Sequence, residues 1–235
     1  LASLVDYDGD VAIDGLLDDV RPLTDSLRSP FAVFDDHLDS FGRALGLRAG
    51  VELTGDPSVP LHARLWNRPS ITVIGIDGHP IAGSSNQIVA RAAARVSLRL
   101  TAGQDPERVV EQLRAHVEAR VPWGLELGFE PHEGAPAWET DPRGPAFDAA
   151  RRALRAGFGT EPVLMGVGGS IPFVGPFADA FGGIPALLLG PADPRSRIHG
   201  EDESLHLDDW RKLIRSEVYL LDALATSVSG SPATR

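Results

Sequence analysis

The chain is 235 residues long and carries 33 Asp and Glu against 22 Lys and Arg, a formal net charge of −11, with no cysteine. That balance excludes a nucleic-acid surface, because phosphate binding needs a concentrated basic face and no arginine cluster here is free of neighbouring carboxylates. Without thiols there is no disulfide framework, no thiolate nucleophile and no cysteine-based zinc site, so any metal has to be held by histidine and carboxylates.

The opening, "LASLVDYDGDVAIDG", runs an apolar stretch straight into a turn, the texture of a sequence cut into. Within it Asp8-Gly9 offers a hairpin turn between Leu4-Val5 and the alternating Val11 and Ile13. In "DSLRSPFAVFDDHLDSFGRALGL", Phe31, Phe34, Leu38, Phe41 and Leu45 fall at three- and four-residue steps and predict one or two short helices, with His37 on a solvated surface. "SITVIGID", residues 70 to 77, has the β-branched content of a strand, and Gly78 with Pro80 ends it. The second half of "QIVARAAARVSLRL" sets Val96, Leu98 and Leu100 against Arg95, Ser97 and Arg99, a one-faced strand. Asp105-Pro106 then supplies a helix cap with proline at the first helical position, and Val109, Val110, Leu113 and Val117 form the buried stripe. "LELGF", residues 125 to 129, reads as a further strand, so the first unit is a small α+β layer.

Near residue 133 the texture changes. "HEGAPAWETDPRGPAF" is a Pro- and Gly-rich crossing, which sets expected domains of 1–132 and 133–235. Beyond it follow a helix through Phe147, Ala150 and Leu154, a strand from Val163 to Met165, a glycine loop and a helix from Phe173 to Phe181. A buried strand "PALLLG" and a long helix capped by Asp208 complete the order. That last helix has Trp210, Leu213, Ile214, Val218, Leu221 and Leu224 as its apolar stripe, and "SVSGSPATR" reads as a disordered tail. The alternation predicts an α/β unit with both sheet faces covered. No apolar run approaches the roughly 20 residues of a membrane span, and the first residues lack the order of a secretion signal, so a cytoplasmic location is expected and no membrane partner.

Two loops follow strands in the second unit, "GVGGSIP" and "PADPRSRIHGEDES", and ligands of open α/β sheets gather at the carboxyl ends of strands. His199 could ligate a metal through a neutral imidazole, with Glu203 or Asp202 orienting the ring; a lone loop histidine is by default a hydrogen-bonded surface residue. His206 is expected at the entry to the last helix. Backbone N–H groups of Gly168, Gly169 and Ser170 could receive a carboxylate, or the segment is a tight strand-to-helix turn. In the first unit Arg99 could clamp a substrate carboxylate in bidentate fashion, with Asn86 ahead of its strand, and His132 and Trp138 flank the crossing.

Together, "RPSITVIGIDG", "SLRLTAGQDPERVVEQL", "GGSIPFV" and "IHGEDES" resemble the co-catalytic metallo-exopeptidase family of carnosinase-type dipeptidases, aminoacylase, carboxypeptidase G and succinyl-diaminopimelate desuccinylase. "GLLDDVRPL" and "GGSIP" resemble the dipeptidase branch most. The resemblance implies a ferredoxin-like lid, through which two subunits pair, followed by the C-terminal half of a zinc-exopeptidase-like α/β catalytic domain. It also implies two divalent metals, zinc first with manganese or cobalt possible, in the complete enzyme but not held by this chain alone. His199 matches a metal-ligating histidine and Glu203 its carboxylate neighbour. Ser170 matches a substrate-contacting serine beside Gly169, and Arg99 an arginine that reaches the substrate carboxylate across the dimer. Asn86 and His132 match lid residues beside the substrate. The family's other metal ligands and its general-base Glu are absent from these residues, and Gly166-Val167 stands where the dipeptidases carry Arg-Glu. The expected function is therefore a fragment, inactive alone, of a hydrolase acting on a dipeptide or N-acyl amino acid. The alternative is a non-catalytic dimerisation or carboxylate-binding module of the same ancestry.

Overall fold

The computed structural model of the chain describes residues 1–132, 134–167 and 171–229. A 3-10 turn at Ala2–Leu4 enters the expected hairpin, which is closed by one antiparallel bridge between Val5 and Val11. Gly9 sits at its turn with φ +90°, and a Cβ there would fall 2.8 Å from the Thr54 Cβ, so both conformation and space require glycine. Helices α1 (Asp25–Ala32) and α2 (Leu38–Ala44) follow, joined by a 3-10 stretch at Val33–His37. Next come α3 (Leu61–Trp66), strands β1 (Ser70–Asp77) and β2 (Ala93–Arg99), and α4 (Pro106–Glu118). The remaining helices are α5 (Pro145–Phe158), α6 (Val174–Ala180) and α7 (Leu207–Ser229). No helix among the described residues is long and apolar enough to cross a membrane.

These elements group into two compact units, the first of Leu1–Leu23, Ala49–Glu139 and Gly166–Pro172, the second of Thr24–Arg48, Thr140–Met165 and Phe173–Arg235. In the first, β1 and β2 pair antiparallel from Ser70 opposite Arg99 to Asp77 opposite Ala93, with the register shifting between Val73 and Gly75. The alternation read in the sequence decides which face is covered. Ile71 and Val73 of β1, with Val96 and Leu98 of β2 and Leu100 beyond it, pack on a core of Leu4, Val11, Ile13, Leu16, Val109 and Leu113. Helix α4 starts where its signals put it: the Asp105 carboxylate accepts the Glu107 N–H at 2.9 Å, and Pro106 opens the first turn. Buried Gln104 ties the approach to α4, its Nε2 donating to the Leu16 carbonyl at 2.7 Å while its Oε1 accepts the Thr101 N–H.

Residues 125–129 depart from expectation, forming no ladder. A strand exists through its partner's hydrogen bonds, and this segment instead buries one ring: Phe129 packs on the core with the Arg114 guanidinium 4.4 Å above it.

The second unit is organised by α5 against α7. Ala149, Ala153 and Gly157 make a smooth face on α5, and Leu213 and Ser216 of α7 are buried. The approach at Gly157 is so close that a Cβ there would lie 2.8 Å from the Lys212 carbonyl oxygen. Small residues, rather than the expected Phe147 and Leu154, form the deepest part of the α5 stripe. On α7 the stripe is wider than α5 covers, leaving Trp210, Ile214, Val218 and Leu221 exposed. The helix begins at Leu207, which puts Asp208 in the first turn, and it runs through 227–229, the start of the expected tail; residues 230–235 lie outside the described ones. The expected strands at 163–165 and 185–190 form no ladder among the described residues, and Val163, Met165, Leu188 and Leu189 are exposed. Their composition is that of buried strands, but a parallel strand without a neighbour has no hydrogen-bonding partner to define it.

Candidate functional site

The loop between Pro191 and Leu207 is built from turns stacked on one buried hydroxyl. Ser196 is 2% exposed; its N–H donates to the Asp193 carbonyl at 3.0 Å, and its Oγ accepts the Asp193 N–H at 3.0 Å. Its carbonyl accepts the Ser204 N–H at 2.9 Å, which closes residues 196–204 into a loop. The Asp193 carboxylate meanwhile accepts the Arg195 N–H, the local side-chain turn that Asp and Ser favour. Sequence reasoning passed over Ser196, although "DPRS" carried that turn signature.

At the far end of this loop a second turn, closed by the Gly200 N–H donating to the Arg197 carbonyl at 2.7 Å, carries His199. Arg197, His199 and Asp202 all have positive φ, at 51°, 61° and 57°. For a residue with a Cβ that conformation costs on the order of 1–2 kcal/mol, so three within six residues persist only because the surrounding hydrogen bonds impose them. His199 is exposed, and its ring has no hydrogen-bond or ion-pair partner among the described residues. Glu203 is also exposed and bonds neither to His199 nor to another described residue, while Asp202 lies 4.0 Å from Arg197.

Just beyond the loop, His206 Nδ1 and Asp209 Oδ2 are 2.7 Å apart at the start of α7, the structural place expected for His206. That hydrogen bond first, then the one from Lys212, hold the Asp209 carboxyl below its ordinary value.

The other candidates lie in the first unit. Arg99 closes β2 with an exposed side chain that has no ion-pair partner among the described residues. Asn86 is exposed in the long connection from β1 to β2, and His132 is exposed after residues 125–129. Gly169 and Ser170 lie outside the described residues. Their neighbour Gly166 is packed against the Trp66 indole, where a Cβ would come within 2.5 Å of the ring. A longer side chain at this position has no room, since the space beside the glycine is filled by tryptophan.

Whether a divalent ion suits these residues rests on donor chemistry. An exposed imidazole with no partner suits a ligand. A complete cage needs more donors, and among the described residues no group of three or more His, Cys, Asp or Glu is placed to hold a metal ion.

Comparison with known proteins finds the chain similar to peptidases. The M20 peptidase dimerisation domain matches residues 1–124. A cysteinylglycine-S-conjugate dipeptidase of Corynebacterium striatum is 32% identical over 168 residues, which is 71% of this chain and 37% of that protein. A Beta-Ala-His dipeptidase of Rattus norvegicus is 26% identical over 230 residues, 93% of this chain and 44% of the relative. Among solved structures, an M20 family metallo-carboxypeptidase from Sulfolobus solfataricus superposes with a TM-score of 0.80 at 28% identity, covering 94% of this chain and 50% of its own. The chain thus spans half the length of these relatives or less.

Proposed function

Because the chain belongs to the M20 peptidase family, as the match of its residues 1–124 to that family's dimerisation domain establishes, we propose that it serves a metal-dependent hydrolase. The reaction is cleavage of a peptide or amide bond in a small, carboxylate-bearing substrate such as a dipeptide or N-acyl amino acid. Residues 1–132 are its lid, through which two copies pair, and 133–235 the C-terminal part of its catalytic domain. The observation that carries the reading is His199, an imidazole with no partner among the described residues, held at the tip of a strained turn. It stands in a loop that follows an apolar stretch, residues 185–190, with no ladder among the described residues.

His199 offers a ring nitrogen to one of two divalent ions, zinc first and manganese or cobalt acceptable to the same donors, and Glu203 turns to orient its other nitrogen. Held there, divalent ions would supply Lewis acidity, which would make a water nucleophilic at neutral pH and polarise the scissile carbonyl. Arg99, with five fixed donors and no carboxylate partner among the described residues, receives the substrate carboxylate across the dimer. Asn86 and His132 line the substrate beside it, and the backbone at Gly169 and Ser170 contacts its other end. Exposed Leu188, Leu189, Val163 and Met165 support the view that neighbouring strands come from further polypeptide, which also supplies the remaining ligands and the general base. A cytoplasmic location is part of the same proposal.

The 235 residues alone are expected to hydrolyse nothing. Assaying them beside the longer polypeptide, with zinc or manganese added, tests this: equal dipeptide turnover by both refutes the assignment of missing ligands. The family model, which matches a dimerisation domain alone, favours one other reading, a non-catalytic dimerisation or carboxylate-binding module. That reading expects no turnover from the longer polypeptide either.

A further inference from the structure

The β1–β2 pair has one covered face and one open face. Ile71, Val73, Val96 and Leu98 pack on the core, so the alternating Arg95, Ser97 and Arg99 of β2 stand on the other side. The register fixes what lies across from them: Ser70 opposite Arg99, Thr72 opposite Ser97, and Gly75 opposite Arg95. The open face is thus a trough, with a long cation at each end and two hydroxyls and a bare glycine between them. Space does not require that glycine, since a Cβ there would meet only the Arg95 Cβ, at an ordinary 3.8 Å. Arg95 and Arg99 are both exposed, and neither has an ion-pair or hydrogen-bond partner among the described residues. Elsewhere in the same unit Arg21, Arg68, Arg108 and Arg120 each lie within 4.0 Å of a carboxylate.

Two accessible guanidiniums without carboxylates, in a chain of net charge −11, suit anionic groups brought from outside. Their Cα atoms are four residues apart on one strand, about 13 Å at the usual rise. A single small anion engages one of them, and a polyanion such as nucleic acid is repelled by the acidic remainder of the chain. Arginine side chains turned toward each other across Ser97 can close that span to the length of a short dicarboxylate, with the Ser97 and Thr72 hydroxyls free to donate between them. We infer that the trough receives two carboxylates of one ligand, so that the residue at the carboxyl end of the substrate is acidic, Glu or Asp. Arg99 takes its main-chain carboxylate and Arg95 its side-chain carboxylate, which makes Arg95 a determinant of specificity. That the ligand is a substrate rests on the proposed function; that the trough binds a dicarboxylate does not.

Calorimetric titration of the purified full chain with glutarate, and separately with butyrate, tests the assignment. Glutarate is expected to saturate and to bind about ten-fold more tightly than butyrate. The Arg95→Gln variant is expected to bind glutarate only as well as butyrate, with an unchanged melting temperature because the side chain is exposed. In the unsubstituted chain, glutarate is expected to shift the amide resonances of residues 70–77 and 93–99. Butyrate equal to glutarate, undiminished binding by the glutamine variant, amide shifts confined to other residues, or no saturable heat each overturns the inference. In the longer polypeptide, the dipeptide Gly-Glu is expected to show a KM about ten-fold below that of Gly-Ala, and Arg95→Gln to raise the Gly-Glu value toward the other. Equal KM values overturn the assignment of Arg95 to the substrate, whereas turnover of neither dipeptide counts against the proposed function alone, since glutarate binding is decided without it.

Discussion

Gly157 shows how one residue's environment outweighs its intrinsic preference. Replacing a helix-interior glycine with alanine ordinarily gains about 1 kcal/mol of helix propensity, and Gly157, the penultimate residue of α5, stands to gain less. Here the new Cβ would lie 2.8 Å from the Lys212 carbonyl oxygen and 3.0 Å from the Ser216 Cβ, and a backbone carbonyl in the middle of α7 has no freedom to retreat. Overpacking of this kind costs about 1–3 kcal/mol, so Gly157→Ala is expected to lose roughly 1 kcal/mol net in denaturant titration, where a gain would mean that α5 and α7 sit further apart. Leu16, 1% exposed, gives the opposite case, a core side chain whose loss leaves a void. Leu16→Ala is expected to cost about 2–5 kcal/mol by the same measurement, and a cost below about 1 kcal/mol would show that the site collapses freely. Neither contact could be read from the chain, because Gly157 meets Lys212 and Leu16 meets α4 only after distant segments fold together.

At the scale of elements, what was legible was what local chemistry decides. Helix α4 announced itself through Asp105, Pro106 and a periodic stripe, and the β1–β2 pair through alternation at Val96, Leu98 and Leu100. Asp105→Ala is expected to cost about 1 kcal/mol, since it strips the acceptor from the Glu107 N–H, and an unchanged denaturation midpoint would mean that water replaces the cap without loss. Less legible was anything that needs a partner. "PALLLG" and Val163–Met165 have strand composition but no ladder among the described residues, and the α7 stripe was right in period yet is covered only at Leu213, because the cover is the narrow Ala-Gly face of α5. The start of α7 also carries a pH signature. Asp209 is held below its ordinary value near 3.8 chiefly by His206, so its contribution is present above that value and disappears as the pH falls through the lowered one. Amide exchange at Leu207–Lys212 is expected to quicken below about pH 4 more than in an Asp209→Asn variant, whereas identical pH profiles would remove the carboxylate from the account.

For the whole molecule, family membership rests on residues 1–124, and the candidate ligand lies outside them, in the second unit. The sequence singled out the histidine as a candidate by its motif, yet it could not show that the loop beneath it is pinned by a buried serine or that three residues of the loop have left-handed backbones. Those features make His199 the place where the account is most exposed. The direct measurement is metal content per subunit of the longer polypeptide, with and without His199→Ala, after exhaustive dialysis against metal-free buffer. Loss of one equivalent in a variant that still folds and pairs is the predicted result; an unchanged stoichiometry contradicts the assignment of this imidazole to a metal.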